Sequence, residues 1–373
     1  MIVLHIGLHK CASSFLQSLM LSNAKNLRNY KIDYVRPLDL FGRFSSKFSQ
    51  KLGAVSGNCS LPLYLLWNTN YYKYYGAIIN KLSRRDLEDF RKHVKSKLFL
   101  RISENERSNI ITVLSAEELS HESMTKECIN RIVADLLNLS KKLQVVALTR
   151  SIPDFIGSLL QQNIKMGGTS VKMTVQKLPA LFSPRLAHWK EITCKYDTTF
   201  NVELIDKLKT TEIKLEEHFL RFFCSDVLSS RIMDELIYKG IAANSRFDLG
   251  SLMILAKVNE LTADVDLKYK FQMLQFAKRE LAMRPDRFDG FPKIPYKPSL
   301  SKSVSLMSKA SDEAQFLSQL SKNHSRYPLE IQDVTGHEIS NNSKCNDVIR
   351  EDIIVSHATS LVKEFRANFL INN

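Results

Sequence analysis

Ile2-Val3-Leu4-His5-Ile6-Gly7-Leu8-His9-Lys10-Cys11-Ala12-Ser13-Ser14-Phe15-Leu16-Gln17 is the stretch on which the reading of this chain turns. A short apolar run, Ile2 to Ile6, breaks at Gly7, and a helical pattern of apolar residues follows from Ser14 to Asn26. A run this short, stopped by glycine, reads as a buried strand. A strand that enters a helix through small hydroxyl residues aims several backbone N–H groups, and the positive end of the helix dipole, at one spot. That spot attracts an anion. Lys10 adds a mobile positive charge, and the hydroxyls of Ser13 and Ser14 can donate to phosphate oxygens or cap the helix. His5 alternates within the strand and reads as a packed core imidazole, whereas His9 borders the loop as a candidate phosphate contact.

The loop is not that of a nucleoside-triphosphate P-loop. That motif needs a second glycine, then lysine directly before the hydroxyl residue. Here Lys10 precedes the hydroxyls by three residues and Ala12 stands between them.

Working outward, two further apolar runs, Ile110 to Leu114 and Leu143 to Leu148, read as buried parallel strands. Helical periodicity appears at Asp86 to Leu98, Lys126 to Asn138 and Asp154 to Ile164, which completes the alternation of an α/β protein. The predicted fold is therefore a P-loop-like parallel sheet flanked by helices, with the loops after the strands gathered on the edge where such sheets bind ligands. From Ala180 onward the chain reads as mostly helical, with helical spacing in Leu215 to Phe223 and Gly250 to Leu261. Pro285 to Ser303 is rich in Pro, Lys and Ser and reads as a loop. The boundary expected is an α/β domain over 1–262 and a basic, mainly helical extension over 263–373.

The chain of 373 residues carries 53 Lys and Arg against 39 acidic residues, a formal net charge of +14, which favours anionic partners. Ten Lys or Arg and three Asp or Glu lie between Lys268 and Lys309, so this region is either a solvated basic face or a contact for a membrane surface or an acidic acceptor. No aromatic-interleaved basic stripe suggests nucleic acid. The six cysteines, Cys11, Cys59, Cys128, Cys194, Cys224 and Cys345, show neither a metal-ligand spacing nor a disulfide ladder, so no metal is expected and a reducing cytoplasm fits. Met1 leads straight into the first strand without a signal-peptide pattern, and the apolar run Leu61 to Trp67 is too short to span a bilayer.

After the third strand comes Thr149-Arg150-Ser151-Ile152-Pro153-Asp154-Phe155-Ile156-Gly157-Ser158. Pro153 suits the opening of a helix. Arg150 then stands at the end of a central strand and Ser158 in the early turns of the next helix, where both can face one phosphate. Strand capping and helix packing remain the alternatives for these two residues.

Lys10-Cys11-Ala12-Ser13-Ser14-Phe15 resembles the 5′-phosphosulfate loop of the nucleotide-dependent sulfotransferases, and the longer string to Gln17 and on to Lys31-Ile32-Asp33-Tyr34 resembles their bacterial, carbohydrate-type branch. Arg150 and Ser158 are similar to the Arg and the Ser eight residues later that bind the 3′-phosphate in that family. The chain departs from the pattern at Ala12, where glycine is usual, and in having Ser-Ser rather than Thr-Thr. The resemblance covers residues 1–34 and 110–165, weakens toward 262 and is absent beyond.

It implies a sulfotransferase that moves a sulfuryl group from 3′-phosphoadenosine 5′-phosphosulfate (PAPS) to a hydroxyl of a carbohydrate or glycolipid, without a metal. The donor would be held by Gly7, His9, Lys10, Cys11, Ala12, Ser13, Ser14, Phe15, Arg150 and Ser158, with Lys10 neutralising the departing phosphate. Ser115-Ala116-Glu117-Glu118-Leu119-Ser120-His121 follows the second strand and is similar to a strand-end Ser-x-Glu stretch of the bacterial relatives. Glu117 is the first candidate for the base, and Glu118 and His121 stay open beside it. Arg185, His188 and Trp189 could line an acceptor cleft, Trp189 reading rather as core, and Asn244, Ser245 and Arg246 could close over a nucleotide. The competing readings are a P-loop-type kinase and a non-catalytic basic scaffold that binds a polyanion.

Overall fold

The computed structural model describes residues 1–7, 13–44, 60–68, 83–121, 123–168, 185–205, 213–238, 247, 249–283 and 351–372. These fall into two compact units. One draws on 1–151 and 185–238, the other on 152–168, 247–283 and 351–372.

The first unit is built on five parallel strands: β1 (Ile2–His5), β2 (Ile32–Tyr34), β3 (Ile111–Ser115), β4 (Leu143–Thr149) and β5 (Thr199–Leu204). They lie in the order β2-β3-β1-β4-β5. β1 and β4 are buried along their whole length, as an all-parallel central strand must be when helices cover both faces. Register is continuous across the centre, with Ile2 opposite both Thr112 and Leu143, and His5 opposite both Ser115 and Val146.

Helices α1 (Ser13–Ser22) and α2 (Ala24–Asn29) fill the connection from β1 to β2. Between β2 and β3 come α3 (Pro37–Phe41), α4 (Ser60–Trp67) and the long α5 (Arg84–Arg107). A single 3-10 turn, Glu117–Ser120, precedes α6 (Lys126–Leu137) on the way to β4. α7 (Ile152–Lys165) follows β4, and α8 (Leu186–Lys195) leads into β5, after which come α9 (Leu215–Arg221) and α10 (Asp226–Glu235). The crossover from β1 runs toward the β2 edge and the others run back toward β5. With right-handed connections this puts α1 and α2 on the face opposite α5, α6 and α8.

β2 and β5, which the apolar pattern does not announce, are the two edge strands. β2 is three residues long with Asp33 at its centre, and β5 interrupts the stretch read as mostly helical with residues that are largely half-buried. Local turn chemistry defines both. Lys31 and Asp197 take positive φ, 57° and 49°, at the ends of α2 and α8, and Asn109 does so at 53° at the end of α5. After α5 and α8 the pattern is a Schellman turn. Ile110 N donates to Asn105 O and Asn109 N to Glu106 O, just as Thr198 N donates to Thr193 O and Asp197 N to Cys194 O. Both side chains are of the short polar kind that tolerates this conformation.

The second unit comprises α7 with α11 (Leu249–Leu261), α12 (Leu267–Met283) and α13 (Glu351–Asn372), packed through Leu160, Ile164, Leu252, Leu255, Met273 and Leu361. Asn259 Nδ2 donates to Ile164 O and Gly168 O at 2.9 and 2.8 Å, closing the end of α7, where Gly167 takes φ 109°. Residues 285–303 lie outside the described residues. No helix among those described is long and apolar enough to cross a membrane.

Candidate anion site at the end of the first strand

In the strand order β1 is followed along the chain by the strand at one edge, β2, and its neighbour β4 by the strand at the other edge, β5. The carboxyl ends of these neighbouring strands therefore flank a topological switch point, where open α/β sheets leave a crevice for ligands. Gly7 ends β1 there. A Cβ on Gly7 would stand 2.8 Å from His5 Nε2, 2.9 Å from Ser13 Oγ and 3.3 Å from Leu148 O, so the close approach of three groups requires glycine.

Around Gly7 the site is assembled from three elements. Ser120 of the 3-10 turn donates to Gly7 O at 3.3 Å and to Glu117 O at 2.7 Å, and Ala116 N donates to His5 O at 2.9 Å, which fastens the β3 end to the β1 end. From α1, Gln17 Nε2 donates to Ser115 Oγ at 3.0 Å, and the same hydroxyl is 2.9 Å from His5 Nδ1. The His5 ring lies edge-on to Phe219. Burial lowers the His5 pKa to about 4, against the pull of the Glu117 carboxylate. The imidazole is therefore neutral at physiological pH.

Two atoms at this spot are buried and unsatisfied. His5 Nε2 and Ser13 Oγ have no hydrogen-bond partner among the described residues, and their residues are 0% and 2% exposed. Ser13 opens α1, whose first-turn N–H groups have no acceptor within the helix. Hydroxyl, imidazole and helix N-terminus together suit an anionic group.

Of the residues expected to hold a donor, Gly7 and Ser13 are buried, Phe15 is half-buried and Ser14 is exposed. Ser13, not the pair, is thus the inward hydroxyl. His9, Lys10, Cys11 and Ala12 lie outside the described residues, as do Asn244, Ser245 and Arg246. Arg150 is half-buried immediately after β4. Ser158 stands on α7, in the second unit, and its hydroxyl donates to Asp154 O of its own helix at 2.8 Å.

The candidate bases differ in setting. Glu117 is half-buried and close enough for its charge to act on His5, whereas Glu118 is buried in the 3-10 turn. His121 is joined to Ser123: Nδ1 accepts from Ser123 N at 3.2 Å and lies 2.9 Å from Ser123 Oγ, which is 2.6 Å from Tyr64 Oη. Arg185 and His188 are half-buried at the start of α8, and Trp189 is core, its Nε1 donating to Leu119 O at 2.9 Å.

His5 was legible only as a core residue, and a core residue it is. Its unsatisfied outer nitrogen was not legible. Gln17 carried a signal, since it lies four residues after Ser13 on the buried face of α1, an unusual pairing of polar side chains toward a sheet. Among the described residues no group of three or more His, Cys, Asp or Glu is arranged to hold a metal.

Comparison with protein families, curated proteins and solved structures returns no match. Fold and site define the chain as an α/β protein with a five-stranded parallel sheet and two buried polar atoms, unsatisfied among the described residues, at the end of its first strand.

Proposed function

We propose that this chain is a sulfotransferase that takes the sulfuryl group of PAPS and passes it to a hydroxyl of a carbohydrate or glycolipid. The observation that carries the reading is the pair of unsatisfied buried atoms, His5 Nε2 and Ser13 Oγ, beside Gly7 at the end of β1. It coincides in sequence with the loop that resembles the phosphosulfate loop of that family, on a sheet whose P-loop-like character is part of the same reading. The 5′-phosphosulfate end belongs at α1, and Arg150 after the adjacent strand supplies charge for the 3′-phosphate. The resemblance extends that role to Ser158, whose hydroxyl proton is held within α7 and has to turn away from Asp154 O to donate.

In this chemistry the acceptor oxygen attacks sulfur, the bond from sulfur to the bridging phosphate oxygen breaks, and adenosine 3′,5′-bisphosphate departs. Glu117 takes the acceptor proton. Lys10 and the donors at the start of α1 offset the charge that builds on the phosphate. A cytoplasmic setting belongs to the proposal, with the basic residues between Lys268 and Lys309 meeting a glycolipid surface.

Calorimetric titration with adenosine 3′,5′-bisphosphate tests it, with ATP and Mg²⁺ in parallel. Binding of the bisphosphate that is lost in Arg150→Ala and Lys10→Ala, with Glu117→Ala keeping affinity and losing roughly 10²–10⁴-fold in turnover, is the expected result. Binding of ATP alone makes the chain a kinase-like protein, and binding of neither makes it a scaffold.

A further inference from the structure

His5 is a residue of this site to which neither the loop pattern nor the family resemblance gives a role. We propose that His5 is a direct ligand of the bound anion, its Nε2–H and the Ser13 hydroxyl together holding one oxygen of a tetrahedral oxyanion at the end of β1. For the identity of the anion, the phosphosulfate end of a nucleotide, this rests on the sulfotransferase reading. For the residue it rests on geometry.

Gln17 Nε2 donates into the Ser115 hydroxyl, which lies 2.9 Å from His5 Nδ1; in the proposed arrangement the Ser115 proton goes to Nδ1 and the imidazole carries its own proton on Nε2. That nitrogen lies 2.8 Å, and the unsatisfied Ser13 Oγ 2.9 Å, from the point where a Cβ on Gly7 would stand. Two buried polar atoms without partners among the described residues border the same spot beside the first turn of a ten-residue helix, as donors to a shared anion oxygen must. The groups facing His5 are Ser115 from β3, Gln17 and Ser13 from α1, Phe219 from α9 and Glu117 from the 3-10 turn. Glu117 is the charged one among them. A neutral donor suits a buried crevice, because it binds the anion without first burying a charge of its own.

Imidazole ¹⁵N spectra of the whole chain test the assignment, recorded at fixed pH during titration with inorganic sulfate and, separately, with adenosine 3′,5′-bisphosphate. The His5 Nε2 resonance is identified by its absence in His5→Asn. If that variant does not fold, Ser13→Ala identifies it by shifting it in the absence of anion. The expected result is saturable movement of this resonance with both probes, in the neutral Nε2-protonated form, and about tenfold weaker sulfate binding in Ser13→Ala. Bisphosphate binding that leaves His5 unmoved overturns the inference and leaves the sulfotransferase reading intact. Sulfate moving His5 while the bisphosphate does not bind upholds the anion ligand and removes the nucleotide. If neither probe binds, both fall.

Discussion

The cluster around Asp33 and the cluster around His5 are both polar and both buried in the same sheet, and they have been finished differently. Asp33, 2% exposed, accepts from Arg101 Nε and Nη2 at 2.6 and 2.7 Å and from Asn105 Nδ2 at 2.7 Å, and Asn105 also donates to Thr112 Oγ1. Arg101 reaches Asp39 as well. Around His5 the inner nitrogen is served by Ser115, which in turn accepts from Gln17, but Nε2 and the Ser13 hydroxyl are not served by any described residue. Thr112 and Ser115 lie three apart on β3, so one faces α5 and the other α1. A satisfied buried network fixes an edge strand to a helix. An unsatisfied one costs stability and leaves polar atoms available to a partner from outside the described residues.

The sharpest way to break this contrast is to remove Arg101. Arg101→Met leaves the buried Asp33 carboxylate with Asn105 and only the longer ion pair to the exposed Arg28, at 3.7 Å, and denaturant unfolding is expected to show a loss of about 3–5 kcal/mol. Sulfate binding per folded molecule should not change. An equal loss of binding would mean that the two clusters are not separate.

Acid separates them next. The native His5 pKa lies below its unfolded value, so its contribution is fully present above about pH 6.5 and is lost as pH falls toward 4, by roughly 3 kcal/mol. His5→Phe should flatten that part of the stability curve. Asp33 titrates later. Burial would raise its pKa, but the hydrogen bonds from Arg101 and Asn105 and the charge of Arg101 outweigh it, so its contribution persists above the ordinary carboxylate value and disappears only as pH falls through the depressed native one.

Two smaller effects sharpen the comparison. Ser83 caps α5, the helix that carries Arg101, by accepting from Asp86 N at 3.0 Å. Ser83→Ala is expected to cost about 1 kcal/mol, which measures how much of the Arg101 effect is mere weakening of that helix. Ser13→Ala removes a hydroxyl that has no partner among the described residues, so thermal unfolding should show stability unchanged or raised by up to about 1 kcal/mol while sulfate binding weakens. A clear destabilisation would show that Ser13 is structural.

Legibility followed the same division. β1, β3 and β4 were readable within a residue because a central parallel strand is covered on both faces and leaves an uninterrupted apolar run. β2 and β5 were not, since edge strands need fewer apolar residues and are defined by the left-handed turns at Lys31 and Asp197 that precede them. Of the candidate site, Gly7, Ser13, Glu117 and Arg150 were marked by their places at strand ends. Gln17 was marked only by its place on the buried face of α1, and Ser115 and Ser120 were not marked, because a polar residue at a strand end or in a turn gives no sign of which distant hydroxyl or carbonyl it will meet.

The sequence by itself determined the α/β class, the three central strands and the glycine-to-serine entry into α1, since local periodicity and strand-end chemistry are written in consecutive residues. Only the tertiary structure decided that β4 lies beside β1, that α7 shares a core with the C-terminal helices, and that His5 keeps an unsatisfied nitrogen next to Ser13. Strand order and the meeting of side chains come from long-range burial, in which each polar atom is either matched or left over, and no neighbour in the chain records which.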